Sequence, residues 1–140
     1  MAGPLIVGAD AVYFDAPGVA SVRWDEEGKL VLVEWQGWAN SGEFAELLEA
    51  EITALKKHQG SRLLADCRRQ KVLNPADQER ANQGWLPRAL AAGLKRFAVV
   101  VPSSVLAEVN LKSSLDGVPS TVLEVAYFAT PEQARDWLGR

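Results

Sequence analysis

The stretch SRLLADCRRQKVLNPAD, Ser61 to Asp77, decides how this chain folds. Its apolar run, Leu63-Leu64-Ala65, has the length of a strand and delivers Asp66, the lone cysteine Cys67 and the pair Arg68-Arg69 to a polar loop. Asn74-Pro75 then reads as a helix N-cap followed by a first-turn proline, with Asp77 favourably placed near the positive end of the helix dipole. Strand, loop and helix start in immediate succession suggest one half of a strand–helix–strand crossover.

The flanking sequence repeats that alternation. Downstream, Ala81, Trp85, Leu86 and Leu90 share one face of a helix that Gly93 closes. Pro87 removes a backbone donor inside it, so a kink or break is expected there. The run RFAVVV, Arg96 to Val101, is apolar on both faces and suits a strand covered on both sides. Pro102-Ser103-Ser104 opens a third helix, with the serines as its expected caps and Val105, Leu106, Val109 and Leu115 inward, ended by Gly117. A strand from Ser120 to Phe128 follows, and Thr130-Pro131-Glu132-Gln133 reads as a capping box that starts a last helix carrying Ala134, Trp137 and Leu138.

Upstream, GVASVRW and KLVLVEWQ are β-rich runs separated by Asp25-Glu26-Glu27-Gly28, a hairpin loop. Asn40 stands three residues before Glu43 as an N-cap with an acidic first turn. Phe44, Leu47, Leu48, Ile52 and Leu55 follow at helical spacing, and Gly60 ends the run. The order β-β-α-β-α-β-α-β-α predicts a mixed α/β fold: a mostly parallel sheet of about five strands with four helices. Residues 1–18 form an N-terminal segment with room for a short extra strand at Val12 to Phe14, and residues 19–140 form one domain.

Composition excludes several classes of function. The 140 residues suffice for one domain that buries roughly two-thirds of its unfolded surface. Fifteen basic and eighteen acidic residues are intermixed, and no basic stripe predicts nucleic-acid binding. A single cysteine makes no intramolecular disulfide, no window has the length of a membrane span, and a cytoplasmic location is expected. There is neither G-x-G-x-x-G nor a P-loop, so no nucleotide cofactor is expected. His58 is the only histidine and has no ligand-spaced companions, so no metal is expected; near a helix C-terminus its partly protonated ring would suit the dipole.

In an open α/β sheet, function gathers at the carboxyl ends of the strands. There the sequence places Trp38, Asn40, Asp66, Cys67, Arg68, Arg69, Ser103 and Ser104 as a contact face for a protein or an anion. Arg68, Arg69 and Lys71 precede a helix N-terminus, where an anion would meet positive side chains and free N–H groups; a solvated basic loop would look the same. Cys67 beside these cations has a nucleophile's surroundings but no nearby base, against the plainer reading of a buried, inert thiol. Of the five tryptophans, Trp38 alone falls on the rim rather than in an element. A second site is also open: if Gly84 and Pro87 bend the second helix away from the sheet, an apolar cavity forms beside Trp85, Leu86 and Leu90.

The W-x-G-W from Trp35 to Trp38, LLADCR, the N-P-x-D helix start, KRFAVVVP and the closing AYFATPEQARDWL together resemble the SpoIIAA-like STAS family, in particular its small stand-alone, lipid-carrier-like bacterial members. The resemblance runs from about Val19 to Leu138 and implies that fold and a non-catalytic regulatory module that contacts a protein partner, with a homodimer in keeping. In the better-known members, anti-sigma-factor antagonists, a serine after the strand-ending aspartate is phosphorylated. Asp66 matches that aspartate, but D-C-R-R follows and no serine or threonine precedes Asn74, so the resemblance does not carry the phosphoserine switch to this chain. Relatives that bind lipids or small apolar ligands imply the alternative, a carrier or sensor of a lipid-like or anionic ligand.

Overall fold

A computed structural model describes residues 5–7, 10–71, 74–106 and 122–139. Their strands form one sheet of seven in sequential order, where the sequence pattern suggests about five: β1 (Leu5–Val7), β2 (Asp10–Ala16), β3 (Ala20–Asp25), β4 (Leu30–Trp35), β5 (Arg62–Asp66), β6 (Arg96–Val100) and β7 (Glu124–Phe128). The first four pair antiparallel and the last four parallel, so β4 is the strand at which the sheet changes direction. Register aligns Glu34, Asp66, Val100 and Phe128, so the parallel strands end level and form one rim.

Side-chain alternation divides the interior into two layers. Val31, Val33, Trp35, Leu63 and Ala65 face helix α1 (Ser41–His58), while Leu30, Leu32, Leu64, Ala98 and Val100 face helix α4 (Pro131–Leu138). The caps follow the sequence closely. Asn40 and Glu43 exchange side-chain-to-backbone bonds of 2.8 and 3.0 Å, a complete capping box. Asn74 accepts from the Ala76 amide at 2.9 Å, with Pro75 in the first turn. Thr130 accepts from the Gln133 amide at 3.2 Å, one of the two bonds of the expected box.

Helix termini also depart from expectation in two places. At the end of α1 the left-handed residue is Gln59 (φ 52°), not Gly60. Gly60 is needed for another reason: a Cβ there would lie 2.8 Å from the buried Trp24 ring. After β6 the Pro102 carbonyl accepts from Val105 and Leu106, so Pro102 takes the cap position and Ser103 and Ser104 are exposed first-turn residues. Residues 103–106 are helical; the rest of that expected helix, with Val109, Leu115 and Gly117, and the expected strand start at Ser120 lie outside the described residues.

The second helix shows what Pro87 does. It runs as α2 (Pro75–Arg80), a π-helical turn (Ala81–Trp85) and α3 (Leu86–Ala91). In an unbroken α-helix the residue-87 amide would bond the residue-83 carbonyl, and proline has no such amide. The chain widens one turn ahead of it: the Leu86 amide bonds the Ala81 carbonyl, five residues back. The helix then ends at Ala91, and Gly93 in the turn after it adopts φ 115°.

Candidate functional site

The rim and the space beneath the second helix are the two places where the sequence puts function. On the rim, three loops approach so closely that a Cβ on Gly37 would meet the Gly18 carbonyl at 2.6 Å. The Lys71 amide bonds the Gly37 carbonyl at 3.1 Å and draws the 67–71 loop over it.

These contacts split the expected contact face. Asn40 is occupied as a helix cap. Arg68 grips Asp66 with two side-chain bonds, 2.9 and 2.7 Å, and its amide adds a third at 3.2 Å. Burial alone would raise the Asp66 carboxyl; the Arg68 bonds and charge, with Arg69, outweigh it and hold Asp66 below the usual carboxylate range. Arg68 is thus committed within the chain. The exposed members of the expected face are Asn40 and Arg68 themselves, Arg69, Ser103, Ser104 and Trp38, which is 51% exposed.

Cys67 turns away from the rim. Its amide continues the sheet to the Val100 carbonyl at 2.7 Å, and its side chain lines a cavity under the second helix. Cys67 is partly buried, and protein surrounds the thiol: burial, then the Asp66 and Glu51 charges, push it up to about 12. A thiol so hard to ionise is a poor nucleophile, and His58 serves elsewhere. The His58 ring stacks on Trp24 at 4.4 Å and its Nε2 shares a 2.7 Å hydrogen bond with the Tyr13 hydroxyl. Burial lowers the imidazole's pKa, so the expected protonated ring on the helix dipole gives way to a packed, neutral one.

The cavity has a volume of about 280 Å³ and lies between α1, the π-helical turn and the sheet. Aromatic and aliphatic walls come from Trp35, Phe44, Leu48, Trp85, Leu86 and Phe97. Trp85 and Leu86 thus line it, as the sequence suggests; Leu90 packs on the core instead and is not among its lining residues. The wide turn explains the gap, because a helix that widens at Ala81–Trp85 does not seat its side chains against α1 at normal helical spacing.

Two well-buried side chains in this lining, Glu51 and Trp85, have a polar group with no hydrogen-bond partner among the described residues. Glu51, 5% exposed, makes no hydrogen bond or ion pair, and burial pushes its carboxyl up to about 8. Trp85, 9% exposed, carries an indole Nε1 with nothing to donate to. A fully enclosed donor such as Nε1 costs about 1–3 kcal/mol when left unsatisfied. Glu51 is the residue that sequence reasoning missed. The signal was present: Glu51 falls four residues after Leu47 and four before Leu55, on the apolar stripe of α1.

A cleft of about 350 Å³ adjoins the cavity and shares Phe44, Leu48, Ala81 and Trp85 with it. Two contacts tie its helical walls together. Ser41 donates to Asp77 at 2.7 Å at one end, and Arg88 pairs with Glu49 at the other, one of its bonds being 3.0 Å. Between them Gly84 faces open space. Among the described residues no group of three acidic, histidine or cysteine side chains could hold a metal ion, and no helix is long and apolar enough to cross a membrane.

Residues 30–139 match the family model described as SpoIIAA-like. The matched segment takes in β4 to α4, and so the parallel half of the sheet, the rim and every residue that lines the cavity. No curated protein matches the chain.

Proposed function

We propose that this chain, which belongs to the SpoIIAA-like family, is a non-catalytic binding module that holds a small apolar ligand between α1, the π-helical turn and the sheet. One observation carries the reading: an apolar cavity of about 280 Å³ whose lining contains two buried, unpartnered polar groups, Glu51 and Trp85 Nε1. Small-molecule sites have this make-up, a mostly apolar concavity with a few placed polar groups that fix orientation. Catalysis finds little support: the Cys67 thiol is held protonated and no basic side chain lines the cavity among the described residues. An anionic ligand at the loop before α2 is likewise poorly supported, since Arg68 is already paired with Asp66.

Native mass spectrometry of protein purified gently from a bacterial host tests this directly. The expected spectrum has a non-covalent adduct on the folded chain that is lost in Leu48→Trp, where the larger ring fills the cavity. A clean apo mass in both, with no uptake of added apolar compounds, would overturn the reading.

A second reading, contact with a protein at the strand-end rim, draws on the half-exposed Trp38 in the loop after β4. Large exposed aromatics are common anchors of interfaces. A second copy of the chain is its simplest partner. Sedimentation of wild type and Trp38→Asp decides that form of it: a dimer that the substitution dissociates supports it, and a monomer at every concentration removes it.

A further inference from the structure

Granting that the cavity binds a ligand, its two unpartnered groups restrict the chemistry of the ligand's polar end. We infer that the cavity takes an uncharged, medium-length apolar molecule headed by a hydrogen-bond acceptor, such as a ketone, aldehyde, ester or alcohol. Trp85 Nε1 is a donor only, so whatever satisfies it must bring a lone pair. Glu51, protonated in this surrounding, presents an O–H donor to the same space. Nε1 is itself enclosed by protein, so the Trp85 ring must turn toward the cavity on binding; one carbonyl oxygen, with two lone pairs, then meets both donors.

The charged alternatives are each disfavoured. An ammonium head would pair with an ionised Glu51 and enjoy the aromatic walls, but it has no lone pair for the indole N–H. A carboxylate head would accept from both donors, but it brings a full negative charge into an apolar space. Among the described lining residues none is basic, so nothing would offset that charge or its desolvation. The titratable groups that face Glu51 across the cavity are Cys67 at the end of β5 and Tyr127 on β7, and neither supplies a cation.

Size follows from volume. At about 30 Å³ per water-sized unit, a space of about 280 Å³ holds roughly nine non-hydrogen atoms. Longer chains would extend into the adjoining cleft between α1 and the π-helical turn.

Titration calorimetry with four octyl probes, 2-octanone, 1-octanol, octanoate and octylamine, at pH 7 tests the inference. The ketone and alcohol are expected to bind at least tenfold more tightly than the acid and the amine. Trp85→Phe, which keeps the aromatic wall but removes the N–H, should cost the ketone about tenfold and leave the amine unaffected. Ketone binding should weaken from pH 7 to 9 as Glu51 loses its proton, and this dependence should vanish in Glu51→Gln. Octanoate or octylamine binding as tightly as the ketone would overturn the inference while leaving the cavity a binding site. Failure of all four probes would overturn the binding reading as well. Circular dichroism of each variant separates lost binding from lost folding.

Discussion

The sheet's two faces come from the same alternating strands and are finished in different ways. Under α4, Leu30, Leu32, Leu64, Ala98 and Val100 close on Ala134 and Leu138. The polar groups at its edge are used up. Arg62 donates to the Leu138 carbonyl at 2.8 Å, and Arg96 donates to the Trp137 carbonyl at 3.1 Å while lying 5.4 Å over the Trp137 ring. Under α1 and the π-helical turn, the other face keeps an open space, a lone carboxyl and an idle indole N–H. A protein interior is packed at crystal density and its polar groups are satisfied, so the first face shows what stability alone produces. The second is built to a different requirement, and the proposed ligand is the simplest one.

The largest test of this contrast is to remove volume from each side. Leu64→Ala empties a fully enclosed site on the α4 face and should cost about 2–5 kcal/mol. Leu86→Ala merely enlarges a space that already exists and should cost about 1–2 kcal/mol. Urea unfolding midpoints measure both. Equal losses would mean that the two faces are equally well packed, and the contrast would fail.

Next in size is the dependence of stability on pH. Burial raises the folded Glu51 carboxyl to about 8 from an ordinary value of 4.5, so between those values the folded chain holds a proton that the unfolded chain has released. Stability from this group is therefore complete below about pH 4.5, falls as pH rises, and levels off above about 8. The fall amounts to a few kcal/mol at most, since each tenfold difference in proton affinity is worth about 1.36 kcal/mol. Glu51→Leu should remove the fall and be the more stable protein at pH 8. His58, lowered by burial, works with the opposite sign, since stability is lost as falling pH protonates it. The difference between variant and wild-type curves isolates Glu51. Parallel curves would show that the carboxyl is not held in an apolar site.

How far the sequence led differs between these faces for a physical reason. Caps, strand lengths and the break at Pro87 are encoded within a few neighbouring residues, and Asn40, Asn74 and Thr130 do in the structure what their spacing suggests. The rim was legible too, because strand order fixes which ends align. The cavity was legible only in outline. A proline announces a disturbed helix but does not say that the chain widens by a π-helical turn, and Leu90 therefore falls outside the lining. Nor does the sequence show which way Asp66 and Arg68 are spent. Glu51 was hidden among the charges of α1, where exposure is the ordinary fate of a glutamate and only its position on the stripe argued otherwise.

A smaller effect is expected at the edge of the closed face. Arg62→Leu removes the bonds to the Leu138 and Lys29 carbonyls and leaves one of the two last-turn carbonyls of α4 that have outside donors without its own. The loss should be about 1 kcal/mol, with faster amide exchange confined to that turn. Exchange rising equally in α1 would mean that the two faces do not open separately.

The smallest change in stability belongs to the cleft beside the cavity, and it separates holding a ligand from merely having a hole. Arg88 and Glu49 are both about half exposed, so their pair contributes little to folding and weakens with salt. Its position matters more than its strength. With the Ser41–Asp77 bond it is one of two contacts that tie α1 to the second helix across the walls of Phe44, Leu48, Ala81 and Trp85. A ligand that leaves between the helices must part those walls. Arg88→Ala should therefore leave the urea midpoint almost unchanged while raising the ligand's dissociation rate severalfold. Raising the ionic strength should speed release from the wild-type chain and have no further effect on the variant. Stopped-flow release of 2-octanone, followed by tryptophan fluorescence, measures both. Unchanged rates would route the ligand past Gln70 and Gln78 instead, at the rim side of the same cavity.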